Sequence, residues 1–458
     1  MWYGRFAIPQ SRFKQVEIAL RGAYIDFKDN PFRNDPSGCL VHESDAIIWI
    51  RDGKVLQVGP ASDLLPQLPE GIPVTHYRDS VILPGFIDSH VHYPQTPIIG
   101  AYGEQLLEWL NNYTFVAEQA FADKDVAREV ARFYLRENLR NGVTSATVYC
   151  TVFPQSVDAL FEEAQPYGMR LMAGKIMMDR NAPAALTDTA QSGYDQSKQL
   201  IERWHGKDRF EYVITPRFAP TSTPEQLEAA GALAREYPDT LIQSHISENK
   251  NEIAWVNQLF PQHKGYADVY RHFGLLRERA IYGHGIHLTE EELHLFSETG
   301  AAIAHCPTSN LFLGSGLFNI RTALDAKRPV HVGLATDLGA GTSFSLLQTL
   351  NEAYKVAQLN GVPLSATHAF YQATRGTAEA LGLQDRIGRI AAGMEADFAV
   401  LDLQSTPLIR FRMKYADSIE EALFINMTLG DDRAIRATWV NGACVYDREQ
   451  DAQQEVRA

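Results

Sequence analysis

Eight short apolar runs, each followed by a longer stretch of different rhythm, lie between residues 81 and 337. They read VILPGFIDSHVH, VTSATVYC, RLMAGKIMMD, EYVITPRFA, LIQSHIS, AIYGHGIHL, AAIAHCPTS and PVHVGLATD. The intervening stretches DKDVAREVARFYLRENLRN and TPEQLEAAGALAREYP carry apolar residues at helical spacing, and the second opens on a Thr cap with Pro in its first turn. Strands alternating with helices restrict the chain to a parallel sheet covered by its own crossovers. Eight such units predict an α/β fold of the (β/α)8 TIM-like barrel type. A doubly wound open sheet is the alternative, but it would bring a Gly-rich nucleotide loop after its first strand, and none is present. The runs LGSG and GAG lack the Lys-Ser/Thr of a phosphate loop and read as turns.

Both ends of the chain carry a different signal. AIIWIRDGKVLQVG is two alternating runs joined at Asp52-Gly53, and RATWVNGACVYD repeats the hairpin pattern at Asn441-Gly442. These strands predict a small β-sandwich domain formed by both termini, residues 1–80 together with 390–458, around a catalytic barrel at 81–389. No internal repeat or low-complexity linker interrupts this plan.

The net charge of −14 argues against binding nucleic acid or anionic membranes, though not against a small uncharged base as substrate. The longest uncharged stretch, TGAAIAHCPTSNLFLGSGLFNI, contains Pro, His, Asn, Ser and Thr, so it is no membrane helix. Cys39, Cys150, Cys306 and Cys444 form no C-x-x-C pair, which suits a reducing compartment. The opening residues MWYGRFAIPQSRFKQ lack the apolar segment of a secretory signal and fit no family pattern. A cytoplasmic protein is expected.

In a barrel of this type the chemistry sits at the C-terminal strand ends. His90 and His92 end the first strand; two residues apart in extended chain, they point the same way and converge as metal ligands would. A pair of hydrogen-bonded strand-end histidines is the plainer alternative. Arg217 and Phe218 end the fourth strand, His245 the fifth with Glu248 just beyond, His284 lies on the sixth and Asp337 ends the eighth. Agreement of separate strands on one rim favours the metal. Three neutral imidazoles and a carboxylate suit Zn2+, one per subunit, with Fe2+ as the other first-row choice. Such an ion lowers the pKa of a coordinated water to about 7. Asp337 can be a fourth ligand or accept that water's proton. Glu248 reads either as a proton shuttle or as a solvated residue in the first turn of the next helix. Phe218 reads as a rim residue or a core ring, and Arg217 as a rim residue or a surface salt bridge. Lys175 is the residue type that bridges two metals when carboxylated, but the fourth strand ends in Arg217 where a second lysine is absent, so one metal is the better reading. The H-x-E and P-C-x-x-C design of a different class of zinc site is missing.

Together, PGFIDSHVH, SHISE, GHGIHL, ATD and GRIAAGMEADFAVLD resemble the amidohydrolase superfamily, in its one-metal deaminase branch, over nearly the whole chain. HYPQ, LLEWLNNYTF, MMDRNAP, TPRFAPT, CPTSNLFLGSGLFN and LQTLNEAYKV are similar to members of that branch acting on a free purine base. The resemblance implies zinc-dependent hydrolysis of guanine to xanthine and ammonia in purine salvage, by a cytoplasmic homodimer. It implies that His90, His92, His245 and Asp337 bind the metal, and that Glu248 moves a proton from water to the ring nitrogen beside C2. His284 would orient the hydroxide and steady the tetrahedral intermediate, while Gln95, Arg217 and Phe218 hold the base. One departure is Val116, where the branch commonly has Pro after YTF. An 8-oxoguanine, a pterin, a triazine or cytosine are alternative substrates for the same architecture. A non-catalytic relative that has lost its metal is the other class, and the presence of every presumed ligand speaks against it.

Overall fold

The computed structural model describes residues 17–103 and 105–455. The N-terminal stretch examined for a secretory signal lies outside the described residues. Eight parallel strands form the barrel sheet: β5 (Phe86–His92), β6 (Val143–Tyr149), β7 (Arg170–Gly174), β9 (Phe210–Pro216), β10 (Leu241–Ile246), β11 (Ala280–His284), β12 (Ala302–His305) and β13 (His331–Leu334). The two-residue β8 (Ile176–Met177) resumes the third strand after Lys175 and pairs only with β9. The strands are buried on both faces, because side chains fill the barrel inside and helices cover it outside. Both helices read from spacing are present, at Lys124–Arg140 and Pro224–Glu236. The second begins as its sequence says: Thr223 Oγ1 accepts from Gln226 N and Pro224 fills the first turn.

The circle closes between β5 and β13 through side chains as well as backbone. Ser89 Oγ donates to Leu334 O at 2.8 Å, and Asp337 N donates to His90 O at 3.0 Å. Gly333 permits this approach, since a Cβ there would lie 2.7 Å from Ser89 Oγ.

The strands near the chain ends build one continuous sheet of seven, in the order β16 (Ala443–Asp447), β15 (Ile435–Val440), β14 (Phe398–Asp402), β4 (Val74–Pro84), β1 (Glu17–Phe27), β2 (Leu40–Arg51) and β3 (Lys54–Pro60). Both hairpins turn where expected, with positive φ at Asp52, Gly53, Asn441 and Gly442 as a two-residue turn between antiparallel strands requires. One run was divided differently from its sequence pattern. VILPGFIDSHVH is not a single barrel strand: Val81–Leu83 pair with β14 in the terminal sheet, and only Phe86–His92 join the barrel. Gly85 is the crossing point, pressed so close to Thr144 that a Cβ would lie 2.2 Å from its Oγ1. An apolar run cannot reveal a change of sheet, because both halves are equally buried.

At the barrel end away from the histidines, buried charges bind the two sheets. Arg170, at the start of β7, donates from Nε to Glu395 at 2.9 Å; Arg209, just before β9, donates to Glu395 and, from Nη1 at 3.0 Å, to Asp397. Arg279, before β11, pairs with Glu211. Among the described residues no helix is long and apolar enough to cross a membrane. Arg209→Ala would leave two carboxylates buried beside a single remaining arginine, and an unpaired buried charge costs about 3–5 kcal/mol. The expected result is a lower denaturant midpoint for Arg209→Ala, measured by circular dichroism, with Arg209→Lys losing less.

Candidate active site

The C-terminal end of the barrel gathers the predicted rim residues. His90 and His92 leave β5 on one face, as their spacing requires, and meet His245 from the end of β10. The ligand atoms of these three imidazoles all lie within 4.8 Å of one another. His92 Nε2 faces His245 Nε2 at 3.1 Å with the rings stacked, and the His90 ring stands perpendicular to that of His245. His245 Nδ1 lies 2.7 Å from the Arg217 carbonyl oxygen, which can only accept, so the proton is on Nδ1 and Nε2 presents its lone pair inward. Asp337 stands at the hub, with Oδ1 3.4 Å from His90 Nε2 and 3.6 Å from His92 Nε2.

This donor set fits a first-row divalent cation. His90 Nε2 is buried without a hydrogen-bond partner, as is His92 Nδ1. Burial holds all three imidazoles below their ordinary range, His92 and His245 well below it, so they are neutral and able to ligate. Burial pushes the Asp337 carboxyl up, but His90 and His284 outweigh it and keep the group ionised. Neutral nitrogens with one carboxylate in a dry site suit Zn2+ or Fe2+. The Tyr149 ring packs 4.4 Å from His92 and 4.7 Å from His90, filling the flank of the cluster at the end of β6.

Strain marks the same rim. His284 has φ 72° and Asp337 φ 48°, both left-handed although neither is glycine. Such residues persist where surroundings over-determine them, and that is common at functional sites. Asp337 is fixed by its N–H on His90 O and by Asp88, which accepts from Thr336 N at 3.0 Å, from Thr336 Oγ1 and from His90 N at 3.3 Å. Burial pushes the Asp88 carboxyl up to about 7, against these donors. Gly283 solves the remaining problem of space, because a Cβ on it would lie 2.5 Å from His90 Cε1.

Glu248 is neither solvated nor in the following helix. Helix Lys250–Leu259 is capped by Asn249, whose reciprocal capping box with Glu252 leaves Glu248 one residue outside, buried and turned to the site. Its Oε1 accepts from Ser315 Oγ at 3.0 Å, and its Oε2 lies 3.3 Å from His284 Nε2. Burial raises its carboxyl to about 7. His284 is 2.8 Å from Asn310 Oδ1 through Nδ1. Burial disfavours its charge, but Glu248 and Asp337 outweigh that and raise it above its ordinary value.

Above the cluster opens a pocket with Gln95, Arg217, Glu248, His284 and Asp337 on its polar side and the Phe218 ring beside them. Leu106, Trp109, Leu110, Leu313 and Ala340 make the apolar wall. This is the composition of a small-molecule site: largely apolar, with a few convergent polar groups.

A profile of the amidohydrolase family matches residues 81–445. This chain belongs to the amidohydrolase family. It is 53% identical over 433 residues to the guanine deaminase of Escherichia coli K12, across 94% of this chain and 98% of that one. The solved E. coli guanine deaminase superposes with a TM-score of 0.92, covering 94% of this chain and all of the other. A guanine deaminase from C. acetobutylicum, solved with guanine bound in its active site, matches with a TM-score of 0.84 at 30% identity over 94% of this chain and all of that one. Members of the amidohydrolase family that deaminate are metal-dependent hydrolases of C–N bonds, and a cluster of histidine and aspartate side chains able to hold a metal ion is present here.

The amidohydrolase barrel thus brings every predicted rim residue to one end. Lys175 stays apart, spending its charge on Asp188 at 2.6 Å. Arg217 is no surface residue: it is buried and paired with Glu118. Val116, the departure from the family pattern, is exposed on the short helix Phe115–Gln119, so the change faces away from the pocket. Sequence reasoning missed Asp88, Glu118, Tyr149, Asn310 and Ser315. Asp88 and Glu118 are acids inside apolar segments, and that misplacement was the only signal for them. Gly283→Ala is expected to rotate His90 out of place and weaken metal binding about 10–100-fold. Chelator competition on a variant with an unchanged circular dichroism spectrum measures this.

Proposed function

We propose that this chain hydrolyses guanine to xanthine and ammonia with one divalent cation, Zn2+ before Fe2+, held by His90, His92, His245 and Asp337. The observation that carries the reading is the juxtaposition, in a single pocket, of two acids and an imidazole at the floor with Gln95, Arg217 and Phe218 on the wall. The bound cation supplies a water acidified to a pKa of about 7.

The side chains provide the rest. Addition of water oxygen at C2 of the base makes a tetrahedral carbon, and the ring nitrogen beside it must gain a proton. Glu248, raised to about 7, exchanges protons near neutrality and delivers one to that nitrogen. Asp337 takes the proton of the attacking water, and a further transfer lets the amine leave as ammonia. His284 Nε2, between Glu248 and Asp337 at 3.3 and 3.8 Å, steadies the charge that develops on oxygen. Phe218 stacks on the base, worth about 1–3 kcal/mol, and Arg217 donates to its carbonyl oxygen. The apolar wall keeps bulk water from competing for these protons. Cytoplasmic residence, a place in purine salvage and a homodimer belong to the same proposal.

A substrate panel is the direct test. Guanine is expected to lose its absorbance fastest, ahead of 8-oxoguanine, a pterin, a triazine and cytosine; faster ammonia release from another ring would overturn the assignment. Glu248→Gln is expected to keep its metal while kcat falls about 10²–10⁴-fold. Normal turnover in that variant would remove Glu248 from the mechanism.

A further inference from the structure

Arg217, proposed with Gln95 to hold the base, is tied to one residue outside the rim. Glu118 lies on the short helix Phe115–Gln119, which follows the pocket-wall residues Leu106, Trp109 and Leu110 in the chain. Its side chain is completely buried, and each of its carboxylate oxygens accepts from Arg217 Nη1 at 2.9 Å. The Gln95 side chain favours the ionised form of the same carboxylate. One turn earlier on this helix, the Phe115 ring lies 5.5 Å from the Arg217 guanidinium carbon. Phe115 and Glu118, three residues apart on one helical face, therefore grip the guanidinium from two directions. Gly339 completes the frame, because a Cβ there would lie 2.1 Å from Gln95 Oε1.

This arrangement exceeds what a structural ion pair needs. Among the described residues only Nη1 of Arg217 is engaged with the carboxylate, which leaves Nε and Nη2 as donors in a pocket-lining group. We propose that Glu118 is the positioning residue for base recognition: it holds Arg217 and Gln95 so that the remaining Arg217 donors meet a ring carbonyl oxygen and reject an amino group at the same place. The inference rests on the guanine reading above. Glu118 touches neither the base nor the reacting atoms; it acts through its two partners.

The test uses full-length enzyme loaded with metal, with guanine as substrate and 2,6-diaminopurine, which carries an amino group in place of the carbonyl, as competitor. Glu118→Gln is expected to raise KM for guanine about 10–100-fold, the worth of a charge-assisted hydrogen bond, with a much smaller change in kcat. Metal content should stay at the wild-type value, and the preference for guanine over diaminopurine should narrow by a similar factor. Added to Arg217→Met, the same substitution should change KM by less than about twofold, since both act on one contact. If Glu118→Gln does not fold, Glu118→Asp, which keeps the charge and shortens its reach, replaces it: a raised KM with wild-type metal content supports the proposal and a wild-type KM overturns it. A wild-type KM and preference in Glu118→Gln, or additive effects with Arg217→Met, would also overturn it. Wild-type enzyme inert on guanine would overturn the function itself and this inference with it, whereas an active wild type beside an unaltered variant would sink the inference alone.

Discussion

The seam between β5 and β13 is the contact on which the rest of the site depends. Asp88 accepts from Thr336 and from His90 N, Ser89 donates to Leu334 O, and Asp337 donates to His90 O. These bonds do two things together. They close the barrel where its first and eighth strands meet, and they set the backbone of His90 and Asp337, which offer an imidazole and a carboxylate to the same point. Closure and donor geometry are one constraint, so a slip of either strand would separate those two groups. The left-handed backbone at Asp337 is the local cost of aiming that carboxylate inward.

Charge is partitioned between the two ends of the barrel. At the N-terminal strand ends, arginines outnumber their chance of finding water, and Arg170, Arg209 and Arg279 are consumed by Glu211, Glu395 and Asp397. The pairs with Glu395 and Asp397 join the barrel to the terminal sheet, and those with Glu211 link neighbouring barrel strands. At the C-terminal ends the opposite holds: neutral imidazoles, an ionised Asp337 and a Glu248 raised to about 7 surround open space. The same burial that depresses the imidazoles lifts Glu248, so one physical cause prepares nitrogen donors and a proton-exchanging acid side by side.

Local chemistry made much of this legible. His90 and His92 share a face because a strand repeats every two residues, and Asp52-Gly53 and Asn441-Gly442 turn because Asp and Asn accept positive φ beside Gly. Thr223-Pro224 starts a helix for reasons contained in three or four residues. Where a reading depended on something distant, it failed or stayed open. The apolar run through Gly85 concealed a change of sheet, since hydrophobicity records burial and is blind to which layer does the burying. Glu248 stayed open between a proton shuttle and a first-turn helix residue because its neighbours begin a helix, and only Asn249's role as cap moves it out.

By itself the sequence determined the alternating strand–helix order, the terminal hairpins, the converging histidine pair and the membership of a barrel rim, because each is written in periodicity or in neighbours a few residues apart. Only the tertiary structure decided that Glu118 grips Arg217 across 99 positions, that Asp88 reaches Thr336 across 248, and that Gly283 clears room for the ring of His90. Such contacts have no local signature: a buried acid or a bare glycine acquires its meaning from the atoms that chain closure sets against it.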